Sequence, residues 1–195
     1  MTVIVDYDTG NLCSVENSLR RLGAHYLVSC DAAEIVGADR VILPGVGEAA
    51  TAMQNLRAKG LTDVIRSLRQ PVLGICIGLQ LMCRSSEEGQ TECLGIFDTE
   101  VARFTGAGPD LKIPHMGWNT ICQLGTPLFE GIREGEFVYF VHSYAPKVCS
   151  GTVATTEYGR MFSAAISRGN FFGTQFHPEK SGPVGERIMR NFIAL

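Results

Sequence analysis

The sequence predicts an α/β fold: an open, mainly parallel sheet flanked by helices, with additional antiparallel strands. Two observations carry this expectation. In the first half, short contiguous apolar runs alternate with stretches of helical period, the mark of right-handed strand-helix-strand units. In the second half, segments such as Asn119-Thr120-Ile121-Cys122 and Glu136-Phe137-Val138-Tyr139-Phe140-Val141 read as strands. Some are expected to be antiparallel, laid on the edge of that core.

Thr2–Asp6 is a contiguous apolar run and reads as a first, buried strand. The turn residues Thr9-Gly10-Asn11 start a helix over Leu12–Leu22, with Leu12, Val15, Leu19 and Leu22 on one face. Gly23 stops it, and Tyr26–Ser29 is a second short strand. Arg40–Leu43 is a third, halted by Pro44-Gly45-Val46-Gly47, after which Glu48–Arg57 and Leu61–Leu68 have helical spacing. Strand, turn and helix recur from Val72 through Gly78. Met161–Ser167 and Asn170–Phe176 suggest a hairpin around Arg168-Gly169, and Val184–Ile193 is a closing helix.

At 195 residues the chain is long enough for one domain with a sizeable core, and no Pro/Gly/Ser-rich or charged linker divides it, so one domain over residues 1–195 is expected. A formal net charge of −3 with scattered lysines and arginines offers no basic stripe to a phosphate backbone, which argues against nucleic acid as a partner. Seven cysteines, an odd number without CxxC or CxxH spacing, argue against both a metal site and a disulfide framework, and fit reduced cytosol. Val3-Ile4-Val5-Asp6 reads as a strand and not as a signal. The most apolar later window, Val72 to Cys83, is far shorter than the ~20 residues a membrane span needs.

Chemistry concentrates at two places. Gly74-Ile75-Cys76-Ile77-Gly78 follows the apolar run Pro71-Val72-Leu73 and opens the amphipathic Leu79-Gln80-Leu81-Met82. Glycines two residues either side of a cysteine let a strand and a helix approach while the thiol sits in a strained, exposed turn, and a helix N-terminus behind it favours the thiolate. The other six cysteines, Cys13, Cys30, Cys83, Cys93, Cys122 and Cys149, read as buried structural residues. About a hundred residues later, Phe171–Phe176 ends in His177-Pro178-Glu179. In an extended segment His177 and Glu179 project to one side, so the carboxylate can steady an imidazole that takes the thiol proton. Cys76, His177 and Glu179 are therefore the candidate nucleophile, base and orienting acid of an acyl-transfer enzyme.

A tetrahedral intermediate needs oxyanion donors, and the turn Pro44–Gly47 leaves a strand end with unobstructed backbone N–H groups at Val46 and Gly47. A tight turn that needs glycine for its own geometry explains the same residues equally well. His115 and His142 read as structural, since neither brings a nearby carboxylate. No cofactor is called for.

These residues resemble the triad, or class I, glutamine amidotransferases over essentially the whole chain. Within that family, Asp6–Leu12, Leu43–Gly47, Pro114-His115-Met116-Gly117-Trp118-Asn119, Phe140–Tyr144 and Gln175–Ser181 resemble the glutaminase subunits of imidazole glycerol phosphate synthase, in histidine biosynthesis. The resemblance implies that Cys76 attacks the carboxamide of glutamine and His177, oriented by Glu179, protonates the departing ammonia. It puts Gln80, Glu88, Ser143 and Tyr144 around the amino-acid end of the substrate and Gly47 beside the oxyanion. It also implies a cytoplasmic heterodimer with a (β/α)₈-barrel cyclase subunit that receives the ammonia, faced by Asn11, Trp118, Tyr139 and Lys180. Where that family has a glycine after the first Asp-Tyr, this chain has Asp8, which leaves the shape of the loop before Asn11 open. Two other readings stand beside this one: a different cysteine hydrolase on the same elbow, and a silent subunit that keeps the fold for docking.

Overall fold

The computed structural model describes residues 1–105 and 111–195. Its first half repeats strand and helix: β1 (Thr2–Val5), α1 (Leu12–Arg21), β2 (Tyr26–Ser29), α2 (Ala32–Val36), β3 (Arg40–Leu43), α3 (Ala49–Ala58), α4 (Leu61–Ser67), β4 (Val72–Ile75) and α5 (Ile77–Met82). There follow β5 (Cys83–Ser86), β6 (Thr91–Glu92), β7 (Phe97–Arg103), β8 (His115–Ile121), β9 (Glu136–His142), β10 (Tyr144–Pro146), β11 (Thr152–Tyr158), β12 (Arg160–Arg168), β13 (Phe171–Thr174) and α6 (Gly182–Ala194).

The central sheet has seven strands in the order β11-β12-β13-β4-β3-β1-β2. Its five strands from β13 to β2 are parallel. The hairpins β11-β12 and β12-β13 add the antiparallel edge. Strands β1 and β4 are buried along their whole length, and β3 over Val41–Leu43, as contiguous apolar runs demand of a sheet covered on both faces.

The middle of the chain departs from expectation. Only β11 lies antiparallel on the edge of the core as expected; β5 to β10 form two sheets of their own. One is four-stranded in the order β10-β7-β5-β6, and the other is the antiparallel ribbon β8-β9. Period-two alternation says that one face is buried, not which partner buries it, and these pairings are made across long loops. Helix α2, with five residues, is too short to show a period in the sequence. Its start is set by Asp31, whose carboxylate accepts from the N–H groups of Ala33 and Glu34.

Three strand ends position the site. The carboxyl ends of β3, β4 and β13 deliver Pro44–Gly47, Cys76 and Gln175–Glu179 side by side, where ligands collect in open α/β sheets.

Candidate active site

Cys76 sits between β4 and α5 with φ 53° and ψ −106°, a conformation an L-residue adopts only when its surroundings impose it. Two glycines make it possible. A Cβ on Gly78 would stand 1.8 Å from the carbonyl oxygen of Leu43, and one on Gly74 would stand 2.7 Å from the backbone of Gly78. Backbone bonds pin the elbow, the Cys76 N–H donating to the Thr174 carbonyl at 2.8 Å and the Gln80 N–H to the Cys76 carbonyl at 3.1 Å. The expected exposure of the thiol is corrected: Cys76 is buried, because the strand ends around it wall a cavity that it lines.

His177 is buried in the same wall. Its Nδ1 lies 2.8 Å from Glu179 Oε1, and that oxygen also accepts from Asn11 Nδ2 at 2.6 Å. The segment is not extended as expected: Pro178–Lys180 is one 3₁₀ turn, closed by the Lys180 N–H on the His177 carbonyl at 3.0 Å. Proline fits its first position, where no donor is required, and the turn brings the carboxylate back onto the ring.

Burial would lower the imidazole pKa, but Cys76 first and Glu179 second outweigh it, and His177 is pushed up to about 10. Burial pushes Glu179 the other way. The hydrogen bond and charge of His177, with help from Asn11, hold its carboxyl below the usual range. The arrangement therefore favours an imidazolium between sulfur and carboxylate.

Tyr7, fully buried, donates its hydroxyl to the Pro44 carbonyl and so fastens the turn that carries Val46 and Gly47. Val46 and Gly47 line the cavity beside Cys76, and Gly47 has φ 99°. Asp8 adopts φ 62°, the left-handed region that glycine favours and aspartate tolerates, and its carboxylate pairs with Lys59 at 3.2 Å. The loop before Asn11 is thereby built without glycine at that position.

The cavity, about 350 Å³, is also lined by Gln80, Glu88, Ser143 and Tyr144, so all the expected substrate residues meet there. Glu88 is half-buried and accepts from the Ala49 N–H at the start of α3 at 2.8 Å; burial raises its pKa more than that bond lowers it. Gln80 is buried, and its Nε2 donates to the Tyr144 carbonyl and to Gln175 Oε1, both at 3.0 Å.

The residues expected to face a partner divide. Trp118 and Lys180 are exposed, and Tyr139, half-buried, meets Trp118 edge-on at 6.0 Å. Asn11 instead turns its amide inward to Glu179. Tyr7 and Gln175 belong to the site beyond the residues expected from the sequence. Gln175, fully buried, places Nε2 3.6 Å from Cys76 Sγ. Cys13 and Cys30, expected to be buried, are exposed. Among the described residues no three metal-ligating side chains converge, and no helix is long and apolar enough to cross a membrane.

The sequence model of the family "Glutamine amidotransferase class-I" matches residues 3–195. The chain belongs to this family. Among class-I glutamine amidotransferases, it is 54% identical over 192 residues to "Imidazole glycerol phosphate synthase subunit HisH" of Bacteroides thetaiotaomicron, covering 98% of each chain. The protein of the same name from Yersinia pseudotuberculosis is 48% identical over 195 residues, covering 99% of this chain and 98% of the relative. At such identity and coverage the chain belongs with the HisH subunits. Two solved structures show the class-I fold at low identity. A "glutamine amidotransferase" superposes with a TM-score of 0.74 at 21% identity, covering 98% of this chain and 97% of the other. "PurLQS from Thermotoga maritima" does so with a TM-score of 0.71 at 18% identity, over 99% and 97%.

Proposed function

We propose that this chain, acting as one domain, is the glutaminase subunit of an imidazole glycerol phosphate synthase. The Cys76 thiolate adds to the side-chain carboxamide carbon of glutamine, and the electron pair of the C=O bond moves onto oxygen. Backbone N–H groups of the Val46-Gly47 turn stabilise that oxyanion, a contribution of roughly 3 kcal/mol per donor in comparable sites. His177, protonated and held by Glu179, gives its proton to the departing nitrogen, so the C–N bond breaks and ammonia and a γ-glutamyl thioester form. The neutral imidazole then takes a proton from water as the water attacks the thioester, returning thiolate, imidazolium and glutamate.

At the other end of the substrate, Glu88 faces the α-ammonium, while Gln80, Ser143 and Tyr144 bound the α-carboxylate side. Ammonia in water near neutral pH is mostly protonated and a poor nucleophile. The product is therefore passed to a (β/α)₈-barrel cyclase subunit docked on Trp118, Tyr139 and Lys180, where it yields imidazole glycerol phosphate and aminoimidazole carboxamide ribotide.

The observation that carries this reading is the convergence of Cys76, His177 and Glu88 on one cavity next to the Val46-Gly47 turn. Ammonia release from glutamine, measured with the chain alone and with the cyclase and its ribotide ligand, tests it. Ligand-dependent stimulation is expected, and Cys76→Ala should abolish glutamine-dependent turnover while synthesis from added ammonium salt survives. Retained glutamine turnover in Cys76→Ala, or wild-type activity on peptides and none on glutamine, defeats the proposal.

A further inference from the structure

The inner face of the β8-β9 ribbon carries a run of hydrogen bonds that ends on the nucleophile. Asn119 Oδ1 accepts from the Thr120 N–H at 2.8 Å, which fixes the amide orientation. Asn119 Nδ2 then donates to the Glu157 carbonyl at 3.0 Å and to His115 Nε2 at 3.3 Å. With Nε2 as acceptor, His115 carries its proton on Nδ1 and donates to His142 Nε2 at 3.1 Å. That leaves the His142 proton on Nδ1, which donates to the Tyr144 carbonyl at 2.9 Å. The same carbonyl accepts from Gln80 Nε2, which also binds Gln175 Oε1, and Gln175 Nε2 reaches Cys76 Sγ. Every donor and acceptor in the run is consistent with one tautomer of each ring.

We propose that His115, His142 and Gln175 are positioning residues that act through the Tyr144 carbonyl and the Gln80 amide to hold the Cys76 thiol for attack. The inference rests on the glutaminase reading for its reaction, but its geometry stands apart from it.

Packing gives the run rigidity. The His115 ring stacks between Tyr158 at 3.9 Å and Phe140 at 4.8 Å, and His142 lies against Phe104 and Phe162 at 5.4 and 5.2 Å. Burial pulls His115 down to about 4, and burial with the charge of His115 pulls His142 down to about 3, so both rings are neutral near pH 7. Neutrality matters because a proton added to His142 Nε2 would face the His115 Nδ1–H, donor against donor. At the far end, the Gln175 amide N–H stands 3.6 Å from the sulfur and restrains where it points.

The test follows Cys76 itself. Its alkylation by iodoacetamide, read by mass spectrometry of the Cys76 peptide so that Cys13 and Cys30 do not intrude, is measured against pH alongside kcat and KM for glutamine in the assembled enzyme. Gln175→Met and His142→Phe should slow alkylation at pH 7 about tenfold, the equivalent of one hydrogen bond. Both should lower kcat by a similar factor with little change in KM. His142→Asn, which keeps a donor where Nδ1 stands, should recover most of the loss. A merely structural role would reduce thermal stability and leave the alkylation profile of the folded protein alone. Profiles of Gln175→Met and His142→Phe within twofold of wild type overturn the proposal; should His142→Phe fail to fold, Gln175→Met and His115→Gln decide. A wild type that alkylates normally but does not hydrolyse glutamine defeats the glutaminase reading instead, and the alkylation profiles still judge this one.

Discussion

The backbone N–H of His177 donates to the carbonyl of Tyr139 at 2.9 Å, so the candidate base hangs directly from the ribbon whose outer face carries Trp118. Ser181 closes the link: its hydroxyl accepts from the Tyr139 N–H at 3.0 Å and donates to the His177 carbonyl at 2.7 Å. The ribbon and His177 are therefore joined both through backbone groups and through the Ser181 hydroxyl.

Ser181→Ala removes one donor and one acceptor from a buried site and leaves the Tyr139 N–H unpaired. A stability loss of about 1–3 kcal/mol is expected in chemical denaturation. Stimulation of glutamine hydrolysis by the partner should fall more than the unstimulated rate, and an unchanged stimulation ratio would refute a coupling through this link.

Asn11 illustrates a residue whose place changes the test it calls for. Its amide donates to the Glu179 oxygen that also faces His177. Asn11→Ala removes a hydrogen bond that helps to hold the Glu179 carboxyl low, and should lower kcat about tenfold, the equivalent of one hydrogen bond to a charged group. If the only effect is weaker binding of the partner, the inward contact is idle.

The elbow was legible in the sequence because steric exclusion wrote it there. Gly74 and Gly78 are needed where a side chain would strike backbone, and that need survives any change of surroundings. Gln175 was legible too, by the period-two rule that places alternate residues of an extended strand on one side. The rule fails one step later, between His177 and Glu179, where a turn intervenes. Tyr7 leaves no local trace, since its partner Pro44 is 37 residues away and only the folded sheet brings them together. The same holds for the strands after Leu94, whose alternation marks a buried face but not the sheet that buries it.

Gly78→Ala tests the steric argument without reference to any chemistry. The added carbon would stand 1.8 Å from the Leu43 carbonyl oxygen, and backbone on both sides cannot yield cheaply. A loss of roughly 3 kcal/mol or more is expected in urea unfolding. A variant as stable as wild type would mean that strand and helix can part without cost.

Acidity gives a further test with a definite sign. The folded pKa of His177, about 10, lies above the ordinary 6.5, so its contribution to stability is complete below about pH 6.5 and disappears as pH rises through 10. The stability difference between wild type and His177→Gln should accordingly shrink between pH 6 and pH 10. The histidine pair acts in the opposite direction. With folded values of about 4 and about 3, its contribution is present above pH 6.5 and lost as pH falls towards those values. His115→Phe and His142→Phe should flatten the acid limb of the denaturation profile, and an unchanged slope would show that the rings take up protons as readily in the folded chain as in the unfolded one.

The outer face of the ribbon supplies the last prediction. Met116, Trp118 and Phe137 are 63%, 55% and 56% exposed, and the register pairs Trp118 with Tyr139 and Thr120 with Phe137, so these side chains share one surface. Three large apolar side chains side by side in water form the kind of patch that the docking proposed above would cover. Lys180 stands next to Glu179 in sequence and is exposed, adding a charge close to the turn that holds the acid. A central aromatic in such a patch characteristically carries a large share of the binding energy. On the function proposed above, Trp118→Ala should weaken association with the cyclase by about 2 kcal/mol, a factor of roughly thirty in Kd, measured by isothermal titration calorimetry. Because Trp118 is more exposed than buried, stability of the isolated chain should change by no more than about 0.5 kcal/mol. Equal affinities for wild type and variant would move the docking surface away from this ribbon, and a large loss of stability would make Trp118 part of the core.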